Sequence, residues 1–181
     1  MKQIECDGKI YYYNNGCFYD EFFLMVEGVD LQKVAKEYFR ALPWGSLKGD
    51  SLFESVKQMK ASGLYYETEK IIEKLFVKHA KDVDLLQKLL PLYLSCCREL
   101  NRPQKAIDGA KVLLPICGGS SATYTSLAAA YCDIKDYENA KKYARVAYAK
   151  QGGGKGYKTE LSLVFMRLKK ETGEDLADKE D

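Results

Sequence analysis

The side chains that most often perform catalysis are sparse in this sequence and do not fall at catalytic spacing. His79 is the only histidine among 181 residues. The acidic residues are scattered, so they do not complete a catalytic triad or a facial metal site around it. We expect His79 to lie at the surface, at the end of a helix. The sequence therefore predicts a protein that is not an enzyme and that uses no cofactor and no metal.

The cysteines are the other reactive side chains: Cys6, Cys17, Cys96, Cys97, Cys117 and Cys132. None forms a C-x-x-C pair, and no histidine lies at ligand spacing from any of them. We interpret all six as reduced thiols, several of which serve as small apolar residues in a reducing compartment. A redox or metal role is the alternative.

The glycine-rich run GGGKGYKT (152–159) has the composition of a phosphate-binding loop but not its spacing. That motif places a second glycine five residues after Gly152, where this chain has Tyr157, and it follows an apolar strand that is lacking here. We interpret the run as a helix stop and a flexible link, with anion binding as the alternative.

Aromatic residues near the N-terminus would stack on nucleobases if basic residues surrounded them. The cluster consists of Tyr11, Tyr12, Tyr13, Phe18 and Tyr19. Only Lys2 and Lys9 lie near it, and nearby acids balance them. Over the whole chain, 28 basic and 26 acidic residues leave a formal net charge of +2. Nucleic-acid binding is therefore disfavoured, and we expect these rings to pack in a core and across strands.

The aromatic residues lie in a segment that favours β-structure. Asp7-Gly8 and Asn15-Gly16 are typical of two-residue hairpin turns, because both pairs tolerate positive φ. We predict two or three antiparallel strands over residues 2–25, then a helix over residues 30–42 with Asp30 as its N-cap. The apolar stripe of that helix consists of Leu31, Val34, Ala35, Tyr38, Phe39 and Leu42.

The rest of the chain shows a pattern that recurs at intervals of about 34 residues, a spacing typical of helical repeats. Residues 124–147 align with residues 90–113 at this offset. The alignment places Ala140 on Ala106 and Ala144 on Ala110. A weaker copy lies at residues 52–75, with an insertion of four residues after it.

Small and large residues alternate in the last copy in a way that suits paired helices. Two antiparallel helices approach closely only where side chains are small, and we expect Ala128 and Ala140 to form that contact. Tyr131 and Tyr137 are expected to fill the wider space between successive helical pairs. One pair cannot bury its apolar stripe alone, so neighbouring pairs must stack.

This pattern resembles the tetratricopeptide repeat, a helix–turn–helix unit of about 34 residues. In the last copy the resemblance rests on Tyr124, Leu127, Ala128, Tyr131, Tyr137, Ala140 and Ala147. The second copy matches at Leu90, Ala106 and Ala110, and the first at Leu52, Gly63 and Tyr65. The resemblance implies a mostly α fold, a solenoid of helical repeats preceded by a small β-hairpin and helix cap.

The resemblance also implies a division of the chain. Residues 1–48 form the β-hairpin and helix cap, and residues 49–171 hold three repeats and a final capping helix. The repeats span about 49–82, 87–120 and 121–154. The inward stripe of the final helix consists of Leu161, Val164, Phe165 and Leu168. The acidic residues 172–181 have little to bury and are expected to be disordered.

Proteins of this family bind peptides along a concave groove formed by the first helix of each repeat. In this register the groove residues are Phe53, Lys57, Lys60, Lys88, Ser95, Arg98, Thr125 and Ala129. The family's clamp for a C-terminal carboxylate is absent, because its positions hold Phe53, Lys57, Leu92, Ala122 and Ser126. The groove suits instead a protein or peptide segment that carries acidic groups and an apolar anchor.

We therefore predict a non-enzymatic protein–protein interaction scaffold or regulatory module. The alternative is a self-associating structural protein, a homodimer formed through the groove or the hairpin edge. No apolar run approaches the roughly 18 residues that span a bilayer, and the first residues lack the apolar core of a secretory signal. We expect a cytoplasmic protein with no membrane partner.

Overall fold

The computed structural model describes residues 1–151 and 159–174. Most of the predicted glycine-rich link (152–158) and of the predicted acidic tail (175–181) lies outside the described residues. Within them the chain is mostly helical, with eight α-helices and one small antiparallel sheet. It divides into two compact units, Met1–Ile71 and Ile72–Asp181. Every helix in the described part of the chain is too short or too polar to cross a lipid bilayer.

The first unit begins with three antiparallel strands in the order β1-β2-β3. They are β1 (Lys2–Cys6), β2 (Lys9–Asn14) and β3 (Cys17–Tyr19). Asp7-Gly8 and Asn15-Gly16 connect them, and all four turn residues have φ between 47° and 87°. This is the two-residue hairpin geometry that Asn, Asp and Gly favour. The predicted antiparallel strands are confirmed.

Helix α1 (Gly28–Arg40) packs against β1 and β3. The predicted start was wrong, since Glu27 is the N-cap and Asp30 lies in the first turn. There the Asp30 carboxylate lies near the positive end of the helix dipole, so an acid marks this helix start without capping it. The predicted apolar stripe is confirmed, because its four central members are buried and its two end members are half-buried.

One hydrophobic cluster fills the first unit. It consists of Ile4, Cys6, Phe18, Val34, Ala35, Tyr38, Phe39, Met59 and Leu64. Tyr13 stacks on Tyr38 with ring centroids 4.1 Å apart, and Phe18 meets Tyr38 edge-on at 5.5 Å. The predicted packing role of the aromatic residues is thus confirmed for Tyr13 and Phe18. Burial, with a smaller contribution from Tyr13, raises the pKa of Tyr38 to about 12.

Seven more helices follow α1 in the described chain. They are α2 (Gly49–Ala61), α3 (Tyr65–Lys78), α4 (Val83–Glu99), α5 (Pro103–Cys117), α6 (Ser121–Asp133), α7 (Tyr137–Lys150) and α8 (Thr159–Thr172). Ser120 caps α6. Its Oγ accepts from the backbone N–H of Thr123, and the Thr123 hydroxyl accepts from the backbone N–H of Ser120, both at 3.2 Å. This reciprocal capping box fixes the helix start directly after two glycines.

Helices in the second unit pack on their neighbours in sequence order. Helix α4 lies against α5 and α6, α6 lies against α7, and α8 lies against both α6 and α7. The fully buried small side chains of these helices are Ala106, Ala110, Ala128, Ala130, Ala140, Ala144 and Ala147. Their burial is what the alanine spacing in the sequence predicted for closely packed helices.

Two tyrosines of α6 and α7 make different contacts. Tyr131 stacks on Tyr143 of α7 with centroids 5.4 Å apart and planes 11° from parallel. This contact lies within one helical pair, where α7 itself supplies a ring for Tyr131 to stack on. Tyr137 reaches the next element, since its hydroxyl donates to the Glu171 carboxylate of α8 at 3.1 Å.

The connections α2–α3, α4–α5 and α6–α7 turn in the same way. Gly63, Asn101 and Lys135 have left-handed φ values of 77°, 57° and 62°. A backbone hydrogen bond spanning five residues closes each turn. These bonds run from Leu64 N to Met59 O, from Arg102 N to Cys97 O and from Asp136 N to Tyr131 O, at 3.4, 2.8 and 2.9 Å. This is the Schellman geometry of a helix C-terminus, and it recurs at intervals close to one repeat length.

Candidate partner-binding surfaces

The predicted partner-binding residues of α2 lie along one face, four and three residues apart. Phe53 and Lys60 are half-buried, and Lys57 is exposed. The Lys57 ammonium lies 3.3 Å from the Glu54 carboxylate of the preceding turn. Such an exposed pair contributes about 0–1 kcal/mol to stability, so a stronger acidic ligand can displace it. This face offers an aromatic side chain and two lysines.

The predicted residues of α4 also follow one face of their helix. Lys88 is exposed, and its ammonium lies 2.9 Å from Asp84. Ser95 is half-buried. The Nε of Arg98 donates to the Asp133 carboxylate of α6 at 2.7 Å. Both cations of this face are therefore held by carboxylates of the same chain.

The two predicted residues of α6 offer little surface to a partner. Thr125 is 5% exposed and Ala129 is 7% exposed. The Thr125 hydroxyl donates to the Ser121 carbonyl at 2.9 Å, which satisfies it inside its own helix. Both side chains contribute to the packing of the second unit, and a partner could touch them only after that packing had loosened.

A network of two arginines and one aspartate ties α4, α6 and α8 together. Asp133 accepts from Arg98 at 2.7 Å and from Arg167 of α8 at 2.5 Å. A second nitrogen of Arg167 donates to the Cys132 carbonyl at 2.9 Å. Both arginines line a shallow cleft of about 300 Å³ together with Glu99. Asp133 is thus the acceptor that holds two guanidinium groups close together.

A second cleft, of about 530 Å³, lies beside Tyr93 and Gly109 where α4 packs on α5. Phe76 meets the Tyr93 ring edge-on at 5.4 Å. The ring also lies so close to Gly109 that a Cβ there would come within 2.6 Å of it. Glycine is required at this point because the ring occupies the space of any larger side chain.

The most exposed apolar segment lies in the first unit and was not predicted. Residues 22–25, which we call the apolar turn, follow β3 with the sequence FFLM. Their exposed fractions are 74% for Phe22, 59% for Phe23, 65% for Leu24 and 59% for Met25. In the sequence, such a run beside strand residues rich in aromatics is typical of a hydrophobic core. Only the packing shows that it faces solvent.

Hydrogen bonds to Asp20 hold the apolar turn in one conformation. The Asp20 carboxylate accepts from the backbone N–H groups of Phe22 and Leu24, at 2.9 and 2.8 Å. The Asp20 N–H donates to the Leu24 carbonyl at 2.9 Å, and the Val26 N–H donates to the Phe18 carbonyl at 2.9 Å. The turn is therefore an ordered extension of the sheet.

A cleft of about 310 Å³ runs beside the apolar turn. Apolar side chains on its walls include Ile10, Phe22 and Met25. The charged residues on its walls are Lys9, Asp20, Glu21, Glu27 and Asp30. One cation therefore faces four carboxylates, and the cleft is both apolar and acidic.

The reactive side chains are largely buried. Of the six free thiols, five are buried and Cys17 is half-buried. Burial raises the pKa of Cys6, Cys117 and Cys132 above the usual thiol value. Within residues 1–151 and 159–174, no group of three His, Cys, Asp or Glu side chains could hold a metal ion. His79 is half-buried just after the end of α3.

A scan of protein-family models, a search of curated proteins and a search of solved structures each find no match to this chain.

Proposed function

We propose that this chain is a cytoplasmic, non-enzymatic scaffold for protein–protein interaction, built from tetratricopeptide-like repeats. The recurrence of one left-handed turn after α2, α4 and α6 carries this proposal. Such a turn fixes where the second helix of each pair begins. Its recurrence at intervals close to one repeat length, together with the fully buried alanines that follow it in α5 and α7, supports a helical repeat array.

Helix α8 supports the same register beyond the three predicted repeats. At the repeat offset, Leu161, Ser162 and Phe165 correspond to Leu127, Ala128 and Tyr131. Leu161 and Phe165 are buried, as their counterparts are. Helix α8 lies against α6 as α6 lies against α4. We infer that α8 corresponds to the first helix of a further repeat.

In this proposal the first helices α4, α6 and α8 lie side by side and share one face, which would bind the partner segment. Lys88 and Arg98 lie at the surface of α4, and Asp84 and Asp133 occupy them in the free chain. A partner segment with carboxylates would compete with these acids, and its apolar anchor would supply the remaining affinity. In the sequence register, Lys57 and Lys60 of α2 belong to the same set of predicted groove cations.

The test compares two triple variants that change the net charge equally. Lys57→Glu/Lys60→Glu/Lys88→Glu reverses predicted groove cations on first helices. Lys111→Glu/Lys142→Glu/Arg145→Glu reverses exposed cations on second helices. The probe is a fluorescent peptide of Asp and Leu, and its affinity is measured by anisotropy at low and high salt. We expect the groove variant to bind about tenfold more weakly, which corresponds to about 1.4 kcal/mol.

A control variant that lost as much affinity would show that the peptide responds to net charge alone, and the groove would be rejected. Circular dichroism checks that both variants keep their helices. Sedimentation equilibrium tests the alternative of self-association. A concentration-dependent dimer that the groove variant dissociates would favour a homodimer over a scaffold. Pairing through the β3 edge is disfavoured, because Val26 already donates to Phe18 there.

A further inference from the structure

We propose that the apolar turn and the acidic cleft beside it form a docking surface for a basic amphipathic segment of a partner protein. This surface belongs to the first unit alone. It does not depend on the repeat register or on the lysines of the proposed groove, so either proposal can fail without the other.

The first step is the exposure of the apolar turn. Four consecutive large apolar side chains are each more than half exposed, and Val29 and Ile10 nearby are exposed as well. Elsewhere in the described chain the exposed large apolar residues occur singly or in pairs. A contiguous apolar patch rimmed by polar residues is typical of a protein interaction site.

The second step is the order of the turn. Phe23 adopts a left-handed φ of 60°, a conformation that bulky residues rarely accept. Its ring stacks on Tyr12 with centroids 5.3 Å apart and planes 20° from parallel. A strained aromatic residue where glycine or asparagine would fit more easily indicates that the ring itself is needed. Because the turn is already ordered, a partner would lose little entropy by binding it.

The third step excludes strand addition at this edge. The sheet ends at β3, whose outer side is covered by the segment that follows the turn. Tyr19 bridges to Met25, and the Val26 N–H donates to the Phe18 carbonyl. A partner strand would find these backbone groups already used. Recognition must therefore come from side chains, through an apolar face that covers Phe22 and Met25.

The fourth step is charge complementarity. Among the described residues, no ion pair involves Glu21, Glu27 or Asp30, which line the cleft with the turn-capping Asp20. Lys9 is the single cation on its walls. A segment that sets Lys or Arg beside Leu, Ile or Phe would neutralise these carboxylates while it covers the apolar turn. An acidic segment or an anionic bilayer would be repelled by the same carboxylates.

The test uses three peptides of about 18 residues, roughly five helical turns. The first is amphipathic and made of Leu and Lys, the second has Glu in place of Lys, and the third has Ser in place of Leu. Affinity for the full chain is measured by fluorescence anisotropy. We expect the Leu/Lys peptide to bind at least tenfold more tightly than either of the others, with an affinity that falls as salt rises.

Four variants locate the site. Phe22→Ser/Met25→Ser should weaken binding of the Leu/Lys peptide at least tenfold, whereas Val77→Ser, at an exposed residue of α3, should leave it unchanged. Glu21→Lys/Glu27→Lys should weaken it severalfold and should increase binding of the Leu/Glu peptide. Glu99→Lys/Glu160→Lys, at two exposed glutamates, is the control that changes the net charge equally. Because all these residues are exposed, the helical signal and the melting temperature should change little.

Three results would overturn the proposal. One is equal binding of the Leu/Lys peptide to the wild type and to Phe22→Ser/Met25→Ser. Another is binding of the protein to vesicles of zwitterionic lipid, abolished by Phe22→Ser/Met25→Ser, while no peptide distinguishes the variants. That result would assign the turn to a membrane surface. The third is a dimer in sedimentation equilibrium that dissociates in the same variant, which would assign the turn to a second copy of this chain.

Discussion

The helical pairs α4–α5 and α6–α7 share one turn geometry but differ in the side chain that the second helix contributes to the interface. In α4–α5 the large ring belongs to the first helix, where Tyr93 lies over Gly109. In α6–α7 the second helix supplies Tyr143, which stacks against Tyr131 and Tyr124. Tyr143 lies 34 residues after Gly109, so the corresponding position holds no side chain in α4–α5 and a tyrosine ring in α6–α7.

The two pairs therefore have the turn and the buried small residues in common, but not the identity of each interface residue. Leu127 corresponds to Tyr93 at the same offset, so the pair that gains a ring on its second helix has a smaller residue on its first. At these corresponding positions the ring thus lies on the first helix in α4–α5 and on the second helix in α6–α7. Because Gly109 has no side chain, the combination of Leu127 and Tyr143 is the larger of the two.

Moving the ring across the α4–α5 interface should have the largest effect. Gly109→Tyr would force a second ring into space that Tyr93 occupies, and we expect a loss of about 3 kcal/mol or more in the free energy of unfolding. Adding Tyr93→Leu recreates the Leu127 and Tyr143 combination. Urea denaturation of both single variants and the double variant should show at least about 1 kcal/mol of favourable coupling. Simple additivity would contradict direct competition of the two rings for one space.

Enlarging the small residue that the two pairs have in common should have a smaller effect. Ala106→Leu and Ala140→Leu each overpack a fully buried position, and we expect each to cost about 1–3 kcal/mol. The two values should agree within about 1 kcal/mol if the positions are structurally equivalent. Ala149→Leu, at an exposed residue of α7, is the control. Thermal melts that left Ala140→Leu as stable as this control would argue against the register.

Removing the carboxylate that holds two arginines should cost less again. Asp133→Asn leaves Arg98 and Arg167 without their shared carboxylate, and we expect a loss of about 1 kcal/mol because the site is partly exposed. Glu99, at the corresponding position of α4, is exposed, and Glu99→Gln should change stability by less than about 0.5 kcal/mol. Urea denaturation at low and high salt checks both. Equal effects would mean that the arginine network adds nothing to α6.

The smallest expected effect is a difference between the wild type and Tyr131→Phe in the stability that is lost at alkaline pH. Burial, then Tyr143 and nearby acids, raises the pKa of Tyr131. In the unfolded chain tyrosine ionises near pH 10, so the unfolded state loses its proton first. Stability from this group is complete below about pH 10 and is lost as the pH rises through the folded pKa.

The α4–α5 pair has Cys97 at the position of Tyr131, so this tyrosine effect belongs to α6–α7. Tyr131→Phe should lose less stability than the wild type between about pH 8 and about pH 11. Urea denaturation midpoints at both pH values measure this difference in stability. The pH dependence that Tyr38 contributes is the same in both proteins and therefore cancels. A variant with the same pH dependence as the wild type would contradict the burial of the hydroxyl.

Local signals in the sequence predicted much of the fold. Asp7-Gly8 and Asn15-Gly16 identified both hairpin turns, since few residues accept positive φ. The buried alanines followed from their spacing. Asp30 marked the start of α1 but not its cap, because an acid is favourable both at a cap and in the first turn. The boundary of α1 therefore shifted slightly while the helix itself was correct.

The candidate surfaces were harder to predict, since exposure depends on long-range packing. Thr125 and Ala129 were assigned to a groove by register, yet both are buried. Phe22 and Met25 have side chains typical of a core, yet both are exposed. The register of α8 could have been found, because Leu161 and Phe165 lie 34 residues after Leu127 and Tyr131. The glycine-rich run before α8 hides that register by interrupting the helical pattern in the sequence.

The buried cysteines make opening of this protein measurable without any mutation. Cys6 lies in the first unit, and Cys96, Cys97, Cys117 and Cys132 lie in the second. A buried thiol reacts with an alkylating reagent only when its surroundings open, so its labelling rate reports a local opening free energy. Mass spectrometry of each cysteine over time would then show whether the two units open together or one before the other. The labelling rates of these cysteines thus report the opening of each unit separately.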